Sequence, residues 1–296
     1  MRKPRPLVAR ASSGHKPSAV EPPEIFDRRA RRRARNRAAA SAGDADFLRE
    51  HMLDGIVERL EAAGRDFTEI LDIGAQRGTF AWPGAKITRI DAGDGFASFT
   101  GGICGEEDRL PLGDARFDLV VSAASLDQVN DLPGALSLIA RALRPGGLFV
   151  AAFAGAGTLA TLRQALRVAE PEPPAPRLHP QIDVRSAGDL LTRAGFADPV
   201  ADTETLTVRY SGLARLIADL RGMAATNLLH ARRPMSRTTH ARLTQAYADL
   251  ADSDGKTAER FEIVYMTGRA PDPHSRPRKK GGRAYAAITA GLPPPV

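Results

Sequence analysis

Apolar positions along this chain change period repeatedly, and the changes mark out its elements. Phe47, Leu48, Met52, Ile56, Val57 and Leu60 recur at helical spacing and predict an amphipathic helix. A short apolar run at residues 70–73 then predicts a strand, ending in the turn Gly74-Ala75-Gln76-Arg77-Gly78. Residues 86–91 predict a second strand, and residues 103–106 the end of a third. Between Gly78 and Lys86 there is room only for a short crossover helix, interrupted by Trp82-Pro83-Gly84. Residues 117–122 are continuously apolar apart from Asp118 and Ser122, the pattern of a strand buried on both faces. Asp131 caps a helix that runs through Leu136, Ile139 and Leu143 until Arg144-Pro145-Gly146-Gly147 stops it. Residues 148–153 predict a fifth strand.

This alternation over residues 66–155 predicts an α/β fold: a Rossmann-like, doubly wound sheet whose strands run parallel. Further helices are expected at 158–170, 184–196, 213–223 and 237–250, with strands at 205–210 and 261–267. The resulting organisation has a disordered segment at 1–23 and a basic helix at 24–40. One domain covers 41–270, with a proline-rich flap at 171–183 and a helical insertion at 213–252. A basic flexible tail, 271–296, completes the chain.

Charge changes this picture more than composition does. The chain of 296 residues, 43% of them apolar, can bury one substantial core. Its net charge of +7 sits at the ends: residues 1–40 carry +9, residues 271–296 carry +4, and residues 41–270 carry −6. A basic nucleic-acid-binding domain is disfavoured by that distribution. Seven arginines lie between Arg28 and Arg37, behind Asp27 as a helix cap. They read either as a solvated helix face or as a surface for an anionic partner, a membrane or nucleic acid. No Trp or Tyr interleaves them, so base stacking lacks support. The first 23 residues also admit a transit-segment reading, although no amphipathic helical pattern supports it. The single Cys104 excludes an intrachain disulfide and a cysteine-based zinc cluster, and suggests a reducing compartment. No apolar run is long enough to span a membrane.

The candidate chemistry gathers around the first turn. Gly74 permits the tight turn and Gly78 a close packing of helix on strand, but Gln76 stands where a third glycine is expected. Asp91, at the end of the second strand, is placed either to accept hydrogen bonds from ribose hydroxyls or simply to begin a turn. His179, Asp127 and Tyr210 are candidates for a pocket mouth, each with a structural alternative. His51, His230 and His240 read as surface positions, and no His/carboxylate pair has the spacing of an iron site. The sequence names neither a catalytic residue nor a metal ligand.

Leu71-Asp72-Ile73-Gly74, Leu110-Pro111-Leu112, Phe117-Asp118-Leu119-Val120-Val121-Ser122 and Leu143-Arg144-Pro145-Gly146-Gly147 follow the order found in class I S-adenosylmethionine-dependent methyltransferases, which the chain resembles. The resemblance implies S-adenosylmethionine as cofactor and Asp72, Gly74, Gln76, Gly78, Asp91, Glu106 and Ser122 as its binding set. Asp91 would hold the ribose, and Glu106 would lie beside the adenine. A nearer resemblance is carried by Phe26-Asp27-Arg28-Arg29, Leu126-Asp127-Gln128-Val129-Asn130-Asp131, Leu220-Arg221-Gly222-Met223 with Asn227, and Phe261-Glu262-Ile263-Val264-Tyr265-Met266-Thr267-Gly268. These look like the respiratory complex I assembly factor 5 family, mitochondrial and alphaproteobacterial proteins whose characterised activity is arginine hydroxylation of a complex I subunit. The chain is similar, more loosely, to the malonyl-carrier methyltransferase of biotin synthesis.

That resemblance implies an enzyme modifying a protein side chain, by methylation or hydroxylation, with a complex I subunit as partner. It implies a cytoplasmic location, peripheral at the inner membrane through residues 28–37, or alternatively the mitochondrial matrix. Two departures point to an alternative, a catalytically degenerate assembly chaperone. Gln76 replaces the family's central glycine, where its Cβ would crowd the methionine carboxylate or its amide would bond it. Asp127 and Gln128 replace the family's His and Trp.

Overall fold

Uninterrupted apolar runs became the interior strands of one sheet, and a weakly alternating run became its edge. From edge to edge the strands are β3 (Ile103–Cys104), β2 (Lys86–Asp91), β1 (Glu69–Ile73), β4 (Phe117–Ala123), β5 (Leu143–Ala154), β7 (Thr257–Arg269) and β6 (Ala197–Tyr210). The structure is a computed structural model that describes residues 24–41, 45–170 and 174–271. The first five strands are parallel, while β7 runs antiparallel to both β5 and β6.

Side chains in a strand alternate between faces, so β4 feeds two cores. Leu119 and Val121 pack with Met52, Ile56 and Leu60 of α2 (Phe47–Ala62) and with α5 (Ala160–Ala169). Val120 joins the opposite layer with Leu136 and Ile139 of α4 (Leu132–Ala142) and with Leu191 of α6 (Val184–Arg193). Asp131 caps α4 by accepting from the Gly134 N–H at 2.8 Å, as its position in sequence predicts. The helices of the insertion, α7 (Leu213–Gly222) and α8 (Arg237–Ala248), add Leu216, Leu243 and Tyr247 to the α2 side.

Five expectations need correction. No crossover helix separates β1 from β2: left-handed backbone at Gln76, Gly78 and Gly84 breaks this stretch into turns. A helix not expected from the pattern, α3 (Asp94–Thr100), follows β2 and closes on Gly101. β5 begins at Leu143, because the Arg144-Pro145-Gly146-Gly147 turn loops out between the pairs Phe117↔Leu143 and Leu119↔Leu148. β6 and β7 outrun their expected bounds because they form a long antiparallel pair from Tyr210↔Thr257 to Ala197↔Arg269.

The fifth correction concerns the basic segment. It forms α1 (Arg28–Ala39), and Asp27 caps it, accepting from the Ala30 N–H at 2.9 Å. It is not a detached solvated helix. Phe26 makes a bridge with Leu229 just before it, and Arg31, Ala34, Arg35 and Ala38 are buried. Arg29, Arg32, Arg33 and Arg37 face outward. The expected disordered segment 1–23, residues 171–173 of the flap and all but Pro271 of the expected tail lie outside the described residues. Among the described residues, no helix is long and apolar enough to cross a membrane.

Candidate functional site

The carboxyl ends of β1 and β2 bring the glycine turn against Asp91. Gly74 and Ala75 both donate backbone N–H groups to the Ile90 carbonyl, which ties the turn to the neighbouring strand. Gly74 has φ +68 and lies so close to Ser125 that a Cβ would collide with it. Gly78, at φ +67, is similarly hemmed in by Arg89 and Thr100. Gln76 adopts φ 47 although it is not glycine, a conformation that costs about 1 kcal/mol. The turn thus keeps a glycine-shaped backbone around a buried glutamine. Its N–H donates to Asp91 Oδ2 at 3.0 Å.

Asp91 is more fully engaged than a ribose-binding carboxylate should be. Besides Gln76, the Gly93 N–H donates to Oδ1 at 2.7 Å. Arg35 of α1 then supplies a fork, Nε to Oδ1 at 2.7 Å and Nη2 to Oδ2 at 2.5 Å. A carboxylate offers roughly four acceptor positions, and four donors fill them. Both partners are buried: Asp91 is 2% exposed and Arg35 0%.

Two further arginines dock beside this pair. Arg31 forks onto Glu107 with distances of 2.6 and 2.7 Å, and its Nη2 also reaches Ser125 Oγ at 3.1 Å. Burial raises the Glu107 carboxyl, but the Arg31 charge and hydrogen bonds, with Ser125 donating to it, outweigh that and hold it at about 2. Arg28 binds Asp108 through both terminal nitrogens and Glu106 at 3.0 Å. Glu106 therefore faces an arginine in this structure.

The remaining expected cofactor residues do not converge. Asp72 and Ser122 sit on adjacent strands but on opposite faces, since Ser122 is paired with Ile73. Ser122 Oγ is buried without a partner among the described residues. Asp72 is fully buried, and its nearest cations, Arg49 and Arg89, stand at 3.8 and 3.9 Å. Burial lifts its carboxyl to about 6 despite them.

Of the candidates for the pocket mouth, Tyr210 has a structural role, and His179 combines one with a place in the lining of the cavity of about 200 Å³. His179 Nε2 accepts from the Leu228 N–H at 3.0 Å, its ring meets Phe26 edge-on, and burial lowers it to about 4. Tyr210 closes β6 inside the α2-side core. Asp127 is different, because Oδ1 is buried with no partner among the described residues. It borders a small void of about 40 Å³ beside Arg49 and Gln76, and a larger cavity of about 200 Å³ under Leu178, Leu220 and Phe261.

Burial raises the Asp127 carboxyl to about 6, only partly opposed by its own backbone N–H and by Arg31 and Arg35. Its folded-state value exceeds the unfolded one, so between about pH 4 and pH 6 the folded chain holds the extra proton. Stability from this group therefore falls as pH rises through that window. Asp127→Asn should remove the limb. Unfolding free energies from urea should coincide at pH 4 and favour the variant by about 3 kcal/mol at pH 7.5.

S-adenosylmethionine does not fit these residues as they stand. The carboxylate expected to bind ribose, Asp91, is saturated, the space over Gly74 holds Ser125, and the void beside Gln76 is far below the roughly 300 Å³ of a ligand pocket. No group of three or more His, Cys, Asp or Glu side chains among the described residues could hold a metal ion. Sequence reasoning missed the three docking arginines and Glu107. Their signal was present in the stripe Arg31, Ala34, Arg35, Ala38, which has the spacing of a buried helix face.

Comparison with known proteins agrees with the architecture. A family profile described as a methyltransferase domain matches residues 71–151. The mouse protein named mitochondrial arginine-hydroxylase NDUFAF5 is 34% identical, covering 94% of this chain and 90% of its own length. The human protein of that name is 33% identical, over 87% of this chain and 80% of its own. A malonyl-[acyl-carrier protein] O-methyltransferase of Xylella fastidiosa is 31% identical, over 83% and 89%. Among solved structures, the YcgJ protein of Bacillus subtilis superposes with a TM-score of 0.52 at 16% identity, covering 75% of this chain and 99% of that one. This shows a shared fold.

Proposed function

Because the chain belongs to the methyltransferase-fold family of arginine-hydroxylase NDUFAF5, we propose that it modifies an arginyl side chain of a respiratory complex I subunit during assembly of that complex. Hydroxylation and methylation are the two modifications that its relatives' names and its fold support. A matrix or bacterial cytoplasmic setting follows from that partner.

The observation that carries the choice of substrate is the charge balance of the 200 Å³ cavity. Its volume suits one long side chain better than a drug-sized molecule. Among the described residues, two charged groups line it. Arg177 is spent: Nε and Nη2 hold Glu170, and Nη1 donates to the Arg233 carbonyl. Asp127 is free to accept. A guanidinium entering the cavity would neutralise the Asp127 carboxylate and supply its missing donors, whereas a malonyl carboxylate would meet like charge in an apolar surround. The arginine reading is therefore favoured over the malonyl-carrier reading that the Xylella relative also raises. In this reading Asp127 orients the substrate side chain, and Leu178, Leu220 and Phe261 exclude water around it.

The test is to incubate the full chain with isolated complex I subunits in an extract that supplies small-molecule co-substrates, and to map products by mass spectrometry. One arginine should gain an oxygen or a methylene, with Asp127→Asn lowering the yield roughly ten-fold. A methylated malonyl carrier with unmodified arginines would contradict the reading. The saturated Asp91 supports a second reading, an assembly factor without chemistry. Its mark would be a subunit held tightly but left unmodified.

A further inference from the structure

Asp91 sits at the strand end where a nucleotide-like ligand would place its ribose, yet all its acceptor positions are taken, two of them by one guanidinium. That guanidinium belongs to α1, a helix outside the sheet. We propose that α1 is a built-in plug: Arg35 occupies the ribose position, and a nucleoside-bearing cofactor enters only when α1 leaves the sheet edge.

The attachments of α1 suit such a movement. Its N-terminal end is pinned by the Phe26–Leu229 bridge, by two hydrogen bonds between the Phe26 backbone and Asn130, and by Arg232 on Asp27. The rest of the helix is held differently. Over the cleft it is fixed by the Arg31 and Arg35 forks, while its apolar contribution there is Ala34 and Ala38, packed with Phe96. Alanine buries little area, so polar contacts hold this part of the helix: the ion pairs, the Gly95 N–H on Asn36 Oδ1 at 3.0 Å, and Arg77 on the Ala38 carbonyl at 3.1 Å. The pair on Asp91 can be exchanged donor for donor. Two ribose hydroxyls would replace the two Arg35 donors on Asp91 without leaving the carboxylate unpaired, and the freed guanidinium would return to water. The plug thus lowers apparent affinity by the fraction of molecules in which α1 is displaced. The inference does not depend on which substrate the chain modifies.

The experiment titrates S-adenosylmethionine into the full chain and into Arg35→Gln by calorimetry, while hydrogen exchange of residues 28–39 is followed by mass spectrometry. The variant should bind roughly ten-fold tighter than the wild type. In wild type saturated with cofactor, residues 28–39 should exchange faster than in the free chain. Equal binding by a folded Arg35→Gln would overturn the plug, as would cofactor binding that leaves α1 as protected as before. Arg35→Lys guards against misfolding, since it keeps the charge but loses the fork, and should bind with intermediate affinity. Absence of binding in every folded form at millimolar cofactor would overturn it too, showing a cleft filled permanently.

Discussion

Replacing Asp91 with alanine should cost about 3–5 kcal/mol of stability, the price of leaving a buried guanidinium without its counter-charge. Arg35 is fully buried, and its fork has no other acceptor among the described residues, so the variant must either hold that charge unpaired or release α1. The N–H groups of Gln76 and Gly93 would lose their acceptor as well. For a chain of this size the transition midpoint should fall by roughly 10 °C. Calorimetry and urea unfolding read the loss directly. A change within about 0.5 kcal/mol would mean that Arg35 is solvated in solution and α1 is not seated.

Removing residues 1–40 should have a larger effect than any single substitution. The truncated chain would keep Asp91, Glu107 and Asp108 but lose all three of their arginine partners. It would also uncover Phe96, Ala224, Leu228 and Leu229, which pack with Phe26, Ala34 and Ala38. A loss above about 5 kcal/mol approaches the whole stability of an ordinary domain, so the cooperative unfolding transition should broaden or vanish. Near-ultraviolet circular dichroism through a thermal ramp is the readout. A sharp, unshifted transition would restore the sequence-based reading of a solvated helix face.

The difference between those two views shows where sequence pattern carries information. β1 and β4 were legible because a strand buried on both faces leaves an unbroken apolar run, and Asp27 and Asp131 were legible as caps because capping is local. The glycine turn was legible for the same reason. The seat of α1 was not. Arginine is ordinarily a solvated residue, and only contact with Glu107 and Asp91, dozens of positions away in sequence, turns this arginine stripe into a buried face. β6 was only half legible: residues 197–204 alternate too weakly to read as a strand alone, and their partner strand is what defines them. His179 does line the cavity, but its packing on Phe26 and its bond to Leu228 were not legible, because those partners come from distant parts of the chain.

The same reasoning separates the two departures seen in sequence. Gln76 keeps the backbone path of the glycine it replaces, and its N–H still serves Asp91, so this substitution changes the space beside the turn more than its shape. Asp127 places an unpaired carboxylate where two voids meet, which alters what the cavity can hold. One departure bears on the cleft proposed for the cofactor and the other on the cavity proposed for the substrate.

The most direct test of the seated helix is a double-mutant cycle with Arg35→Gln, Asp91→Asn and the double variant, each measured by urea unfolding of the full chain. A guanidinium docked on its carboxylate should give a coupling energy of about 1–3 kcal/mol, with the double variant less damaged than the sum of the two singles. Additivity within about 0.5 kcal/mol would show that the two side chains do not meet, and that α1 does not close the cleft.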